Sequence, residues 1–244
     1  MVDNVAPGFR RDELAGRYNV TSFEEDDWHA HTGRRTSKFL AEQVGQIPHS
    51  PGWVLNAGSG VYQLGLGHWN EVSVDLFDLP ISRHVFSVCA SVKQLPFHSA
   101  AFAGVICVGE VLSYCDPAQA ISEFARVLVP TGCLICDFSS SRSIKYWGRL
   151  SFGRAADIVT DVYNSSPEHI WVYDPSYIRS LLEASGFVIR KVVGTHSWSA
   201  LAKRCGATRS RSLVLERWLE WVRLPSSWAD LTTILAVRVT DEQL

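Results

Sequence analysis

Short apolar runs alternate with stretches of helical periodicity along the 244-residue chain, the pattern of a parallel sheet covered by helices. Residues 53–57 read as the first strand, after the turn signal Ser50-Pro51-Gly52. Strands at 72–76 and 85–90 follow, and 104–109 is apolar without alternation, as in a strand buried on both faces. The next helix is well punctuated. Asp116 suits its N-cap and Pro117 its first position, and Ala118, Ile121, Phe124, Ala125 and Leu128 recur at helical spacing. Pro130 and Gly132 end it before a fifth strand at 133–138. Asp174, Pro175, Ile178, Leu181, Leu182 and Gly186 repeat the same grammar. They lead into a sixth strand at 187–193, and a β-rich run at 232–239 is the seventh.

Three pieces stand outside this alternation, and no linker divides the chain, so a single domain with excursions is expected. Residues 1–50 carry acidic turns and then a helix at 34–44; residues 139–173 are long and aromatic. Residues 195–229 hold an amphipathic helix with Leu215, Trp218, Leu219 and Val222 on one face. Excursions of this length usually bind or cover ligands, which makes 1–50 a lid and the other two substrate caps. Tyr146, Trp147, Phe152, Tyr163, Trp171 and Tyr173 then suggest an enclosed apolar acceptor pocket; the plainer alternative is the cap's own core.

Composition narrows the functional classes. A hydrophobic fraction of 46%, a charged fraction of 20% and a net charge of -2 are ordinary for a globular protein and give no support to nucleic-acid binding. The stretch 190–223 is locally basic (Arg190, Lys191, Lys203, Arg204, Arg209, Arg211, Arg217, Arg223) but interrupted by Glu216 and Glu220. A solvated face is the first reading, an anion-contacting surface the second. No apolar run is long enough to span a bilayer, and residues 1–12 lack the apolar core of a signal peptide, so a cytoplasmic location is expected. Cys89, Cys107, Cys133 and Cys136 lie in apolar runs and read as small hydrophobes. Cys133 and Cys136 are three apart on a strand, which places their thiols on opposite faces and argues against zinc.

The first strand runs into Asn56-Ala57-Gly58-Ser59-Gly60, with a helix expected from Tyr62, and Asp75 ends the second strand. Glycines at such a turn allow close approach of a ligand to the backbone, and a carboxylate on the next strand can accept from ribose hydroxyls. These features fit a nicotinamide cofactor as well as S-adenosylmethionine.

The segments that follow discriminate. Ser91-Val92-Lys93-Gln94-Leu95-Pro96-Phe97, Ala101-Phe102, Phe124-Ala125-Arg126-Val127-Leu128, Pro130-Thr131-Gly132 and Leu182-Glu183-Ala184-Ser185-Gly186-Phe187 resemble, in order and spacing, the small-molecule branch of the class I S-adenosylmethionine-dependent methyltransferases. The resemblance covers about residues 53–193. It implies an α/β, Rossmann-like, seven-stranded, mostly parallel sheet with helices on both faces, the last strand antiparallel, plus an N-terminal helical segment and cap insertions. It also implies S-adenosylmethionine as cofactor: Gly58, Ser59 and Gly60 under the methionine part, Asp75 on the ribose, Leu76 on the adenine face. Ser91 and Val92 would meet the adenine edge, and Gly109 the sulfonium. The chain departs from the family's usual acid at Asn56, from its third glycine at Tyr62 and from its usual acid at Ser91.

Catalytic candidates are Glu110 after the fourth strand, His169 in the aromatic excursion and His31 in the N-terminal segment, each weighed against a solvated or packing role. His29, Arg34, Arg35, Tyr18 and Trp28 are further lid candidates. The expected activity is methyl transfer to oxygen or nitrogen of a small-molecule acceptor, without nucleic-acid or membrane partners; a homodimer is the quaternary option. The rivals are a non-catalytic binding or assembly protein of the same fold and a nicotinamide-dependent oxidoreductase.

Overall fold

The computed structural model describes residues 27–50, 52–60, 62–67, 69–77, 85–163, 166–219, 221–222 and 224–239. The sequence-based expectations for Tyr18 and for the side chains of His29 and Tyr163 lie outside what it describes.

Nine strands form among the described residues: β1 (Trp53–Ala57), β2 (Asn70–Asp75), β3 (Ser87–Cys89), β4 (Phe102–Cys107), β5 (Leu128–Ser139), β6 (Ala156–Tyr163), β7 (Ser166–Tyr173), β8 (Phe187–Thr195) and β9 (Leu231–Arg238). Seven of them make one sheet in the order β3-β2-β1-β4-β5-β9-β8, while β6 and β7 pair as a separate hairpin. β9 runs antiparallel to both neighbours and every other pairing in the sheet is parallel. The expected seven-stranded sheet is therefore present, with the hairpin inserted in the 139–173 excursion.

Successive residues of a buried strand point to opposite faces, and the two faces are covered differently. Leu55, Val105, Leu134 and Cys136 look toward α2 (Pro117–Val127) and α3 (Pro175–Ala184), where Ile121, Phe124, Ile178 and Leu182 meet them. Both helices begin as expected: the Asp116 and Asp174 side chains accept from the N–H groups of Ala118 and Ser176. Val54, Ile106, Cys133 and Ile135 look the other way, onto Phe39 and Leu40 of α1 (Asp27–Gln43) and onto Ile47. Burial of Phe39 and Leu40 contributes roughly 1.5–3 kcal/mol each. Cys133 and Cys136 thus do face opposite ways, and no group of three or more candidate metal ligands occurs among the described residues.

Three expectations fail. The helix expected from Tyr62 is absent: residues 62–66 are irregular, and Gly65 and Gly67 take positive φ of 61° and 70°, which a helix does not accommodate. α1 covers the face that a helix between β1 and β2 would share. Leu128, counted in the stripe of α2, begins β5 instead. Finally, α5 (Arg209–Leu219), which follows α4 (Ser197–Arg204), buries Ser212, Leu213 and Glu216 and leaves Trp218 77% exposed. The polar face turns inward because the Glu216 carboxylate accepts from both the N–H and the hydroxyl of Ser199, each at 2.8 Å, near the start of α4.

Candidate functional site

In parallel α/β sheets the carboxyl ends of the strands form the natural binding edge. Here that edge carries, from β2 across to β8, Asp75, Gly58, Gly109, Ser139, Asp230 and His196. A cavity of about 720 Å³ lies along it, lined among others by Asn56, Gly58, Ser59, Gly60, Asp75, Leu76, Ser91, Val92 and Gly109. All nine cofactor candidates from the sequence meet in this one space. Its volume falls in the range of small-molecule sites.

The loop after β1 is tightly determined. Gly58 has φ +74°, and a Cβ there would come within 2.4 Å of a γ-carbon of Val111. Its N–H and that of Ser59 both donate to the Val74 carbonyl, at 2.7 and 3.0 Å. Asp75 accepts the Gly60 N–H at 2.8 Å and the Phe77 N–H at 3.1 Å, so the ribose-binding candidate also clamps the glycine turn. Asn56 donates its amide to the Tyr62 carbonyl at 3.0 Å and to Glu71 at 2.8 Å. Glu71 in turn accepts the Leu64 N–H. Asn56 thus fixes the chain after the loop. Tyr62, where the family has its third glycine, lines the cavity and is 52% exposed.

These residues fit S-adenosylmethionine. Ser59, 5% exposed on the cavity wall, has a hydroxyl without a hydrogen-bond partner among the described residues, an arrangement a polar ligand atom would relieve. A carboxylate offers about four acceptor positions, so Asp75 retains capacity for hydroxyl donors beyond its two backbone bonds.

After β4 the backbone turns through two consecutive left-handed residues, Gly109 at φ 88° and Glu110 at φ 64°. Asp137, buried on β5, accepts the N–H groups of Gly109 at 3.1 Å and Glu110 at 2.7 Å. Burial pushes the Asp137 carboxyl up to about 7, against the lowering effect of those two bonds. Glu110 lines the cavity and accepts from the Ser139 hydroxyl. Burial raises its pKa, and the bond from Ser139 offsets part of the rise. Ionisation there is favoured by an incoming cation.

The other catalytic candidates are not brought to the cavity. On β7, Glu168 and Ile170 face inward and His169 is exposed, because strand residues alternate; its Nδ1 lies 3.0 Å from Thr160 Oγ1 across the hairpin. His31 is buried, its ring centroid 5.2 Å from that of His196. Arg34 and Arg35 do not line the cavity, whereas Thr32, Gly33, Thr36 and Ser37 of the same helix do. The expected aromatic acceptor pocket is not found: none of the described aromatics of the 139–173 excursion lines the cavity. Tyr146 packs with Ile170 and Val172 in a small cap core, Trp171 and Tyr173 stack on each other, and Trp147 is 64% exposed. The Tyr173 hydroxyl donates to the Cys115 carbonyl instead.

What occupies that end of the cavity is charge. Lys145 lies 2.6 Å from Asp230 and 3.2 Å from Asp161; Lys203 is 3.9 Å from Asp161. Lys203 and Arg209 both sit over the Trp28 ring, at 4.9 and 5.1 Å from its centroid. The other stacking partner of Trp28 is His196, at 3.8 Å. Burial, then the charges around it, drive the His196 pKa well below the usual imidazole range. Its two ring nitrogens face Thr32 at 2.7 Å and Ser199 at 3.3 Å. The reading of 190–223 as a solvated face is thus corrected for Lys203 and Arg209, which line the cavity. Sequence reasoning did not single out Lys145, Asp161, Asp230 or His196. They come from separate elements with no shared spacing, so no local signal marks them.

A sheet ordered 3-2-1-4-5-9-8 with one antiparallel strand, and a glycine loop and acid at its carboxyl edge, is the class I methyltransferase architecture. Comparison with known proteins agrees. Residues 57–136 match a methyltransferase domain family. A curated relative, the malonyl-[acyl-carrier protein] O-methyltransferase of Herminiimonas arsenicoxydans, is 27% identical over 170 residues, 59% of this chain and 64% of that protein. The match therefore spans less than two thirds of the relative's length. Among solved structures, the 1,6-didemethyltoxoflavin-N1-methyltransferase of Burkholderia thailandensis superposes with TM-score 0.55 at 16% identity, over 96% of this chain and 93% of its own. It was solved with bound 1,6-didemethyltoxoflavin and S-adenosylhomocysteine. The cyclase SpnF is equally similar in fold, with TM-score 0.56 at 16% identity over 88% of this chain and 86% of its own. In fold the chain is like the class I S-adenosylmethionine-dependent methyltransferases, and residues 57–136 carry the match to the methyltransferase domain family.

Proposed function

We propose that the protein transfers a methyl group from S-adenosylmethionine to an oxygen or nitrogen of a small organic acceptor, as a cytoplasmic enzyme. The observation that carries this reading is the convergence of Asn56, Gly58, Ser59, Gly60, Asp75, Leu76, Ser91, Val92 and Gly109 on one cavity. Asp75 would hold the ribose hydroxyls, Leu76 and Val92 the adenine, and the Gly58-Ser59-Gly60 turn the methionine portion. The cofactor supplies a methyl carbon already activated by a sulfonium, so the chain's task is chiefly to orient the acceptor in line with it. Glu110, held by Ser139 and backed by the Asp137 turn, faces the side where a cation is expected. No base is required for an acceptor that arrives deprotonated. The hairpin of 139–173 and helices of 195–229 are assigned to acceptor selection, and the N-terminal 1–50 segment to covering the site. The two named methyltransferase relatives act on an oxygen and on a nitrogen, which supports either atom.

A binding protein without methyl transfer is the second reading. It is favoured by the irregular 62–66 segment, where no helix N-terminus follows the glycine turn, and by the cyclase of the same fold, since a fold does not fix its chemistry. Calorimetry with S-adenosylhomocysteine tests the first reading. Wild type should bind it and not NADH, and Asp75→Ala should weaken binding about tenfold or more. A folded protein that binds no S-adenosylhomocysteine would refute methyl transfer.

A further inference from the structure

The two cavity-lining lysines are in unequal states. Lys145 is saturated by Asp230 and Asp161. Lys203, with only 22% of its side chain exposed, has its nearest carboxylate at 3.9 Å and makes no hydrogen bond among the described residues. A mostly buried ammonium with three unused donors is an unfavourable arrangement unless a partner arrives. Lys203 also sits over the face of Trp28, which it shares with Arg209, so two cations converge on one indole at the cavity wall.

Position separates this corner from the cofactor half. His196, which stacks on Trp28, directly follows β8, and β8 is four strands from β1 in the sheet. At ~4.8 Å per step that is roughly 19 Å along the edge from the Gly58 turn, too far for a group seated on that turn to reach. We infer that the acceptor carries a carboxylate-type anion that docks on Lys203, flanked by Arg209, against the Trp28 ring. Asp161 and Glu168 face the same cavity and limit the site to a single negative charge; a polyanion would meet both acids. This assignment rests on the methyltransferase reading for the word acceptor, though the anion site itself does not.

The test uses the full chain saturated with S-adenosylhomocysteine, titrated by ligand-observed NMR with hexanoate and with the isosteric hexanamide. Wild type should prefer hexanoate by about tenfold or more, the scale of a charge-assisted hydrogen bond. Lys203→Met should erase the preference and Lys203→Arg restore it, with affinity for S-adenosylhomocysteine unchanged. Arg209→Gln, read in the same way, serves if the Lys203→Met variant does not fold. Equal binding of acid and amide to wild type overturns the inference, as does a preference that survives Lys203→Met. It is also overturned if Lys203→Met weakens S-adenosylhomocysteine but not 5′-methylthioadenosine, because the cation would then serve the cofactor's own carboxylate. Should wild type bind no S-adenosylhomocysteine, the proposed function fails by itself; a hexanoate preference in the cofactor-free chain would still support the anion site.

Discussion

Substituting Gly58 with alanine tests whether the turn after β1 is shaped by its contact with the turn after β4. At φ +74° an alanine costs about 1–2 kcal/mol in backbone strain. Its Cβ would also lie 2.4 and 2.8 Å from the two γ-carbons of Val111, and overpacking of that kind costs about 1–3 kcal/mol. Together Gly58→Ala should lower stability by about 2–5 kcal/mol. Val111→Ala removes both methyls and leaves only the 3.1 Å contact with its Cβ. The double variant should therefore be more stable than the sum of the single effects by about 1–2 kcal/mol. Urea unfolding of all four proteins measures this, provided the m-values agree. Additivity within about 0.5 kcal/mol would refute the claim that these two turns press on each other.

Two further outcomes follow from the buried charges. Asp137 has a folded-state pKa of about 7, above its ordinary 3.8, so the folded protein holds that proton more tightly than the unfolded chain. Its contribution is fully present below about pH 4 and is lost as pH rises toward 7, by at most about 4 kcal/mol; stability of wild type relative to Asp137→Asn should fall across that window, and a flat difference would contradict it. Lys145→Met leaves the buried Asp230 without its ion-pair partner and should cost about 3–5 kcal/mol in urea unfolding, with part recovered in Lys145→Met/Asp230→Asn; no recovery would mean that the pair is not what Lys145 stabilises.

The sheet was legible because its strands are short, apolar and bounded by strong punctuation, and Asp116-Pro117 and Asp174-Pro175 mark helix starts chemically. The cofactor candidates were legible because each lies at or just after the carboxyl end of one of the first four strands, β1 to β4. The failures have physical causes that the chain partly displays. Gly65 and Gly67 already argued against a helix after Tyr62, and the alternation of Glu168, His169 and Ile170 could have assigned the histidine outward. Trp218 was misplaced because apolar periodicity reports which residues share a face and not which way that face turns; Glu216, bonded to Ser199, decided it. The charged end of the cavity was illegible since Trp28, Lys145, Asp161, Lys203 and Asp230 meet only through the topology.

Helix α1 is a wall of the ligand space through Trp28, Thr32 and Thr36 and, through Phe39 and Leu40, a roof over the sheet core. One rigid rod therefore serves two compartments. Lifting it whole to admit a ligand would expose core side chains to water, at a cost of several kcal/mol from Phe39 and Leu40 alone. A ligand is therefore admitted most cheaply with α1 left in place.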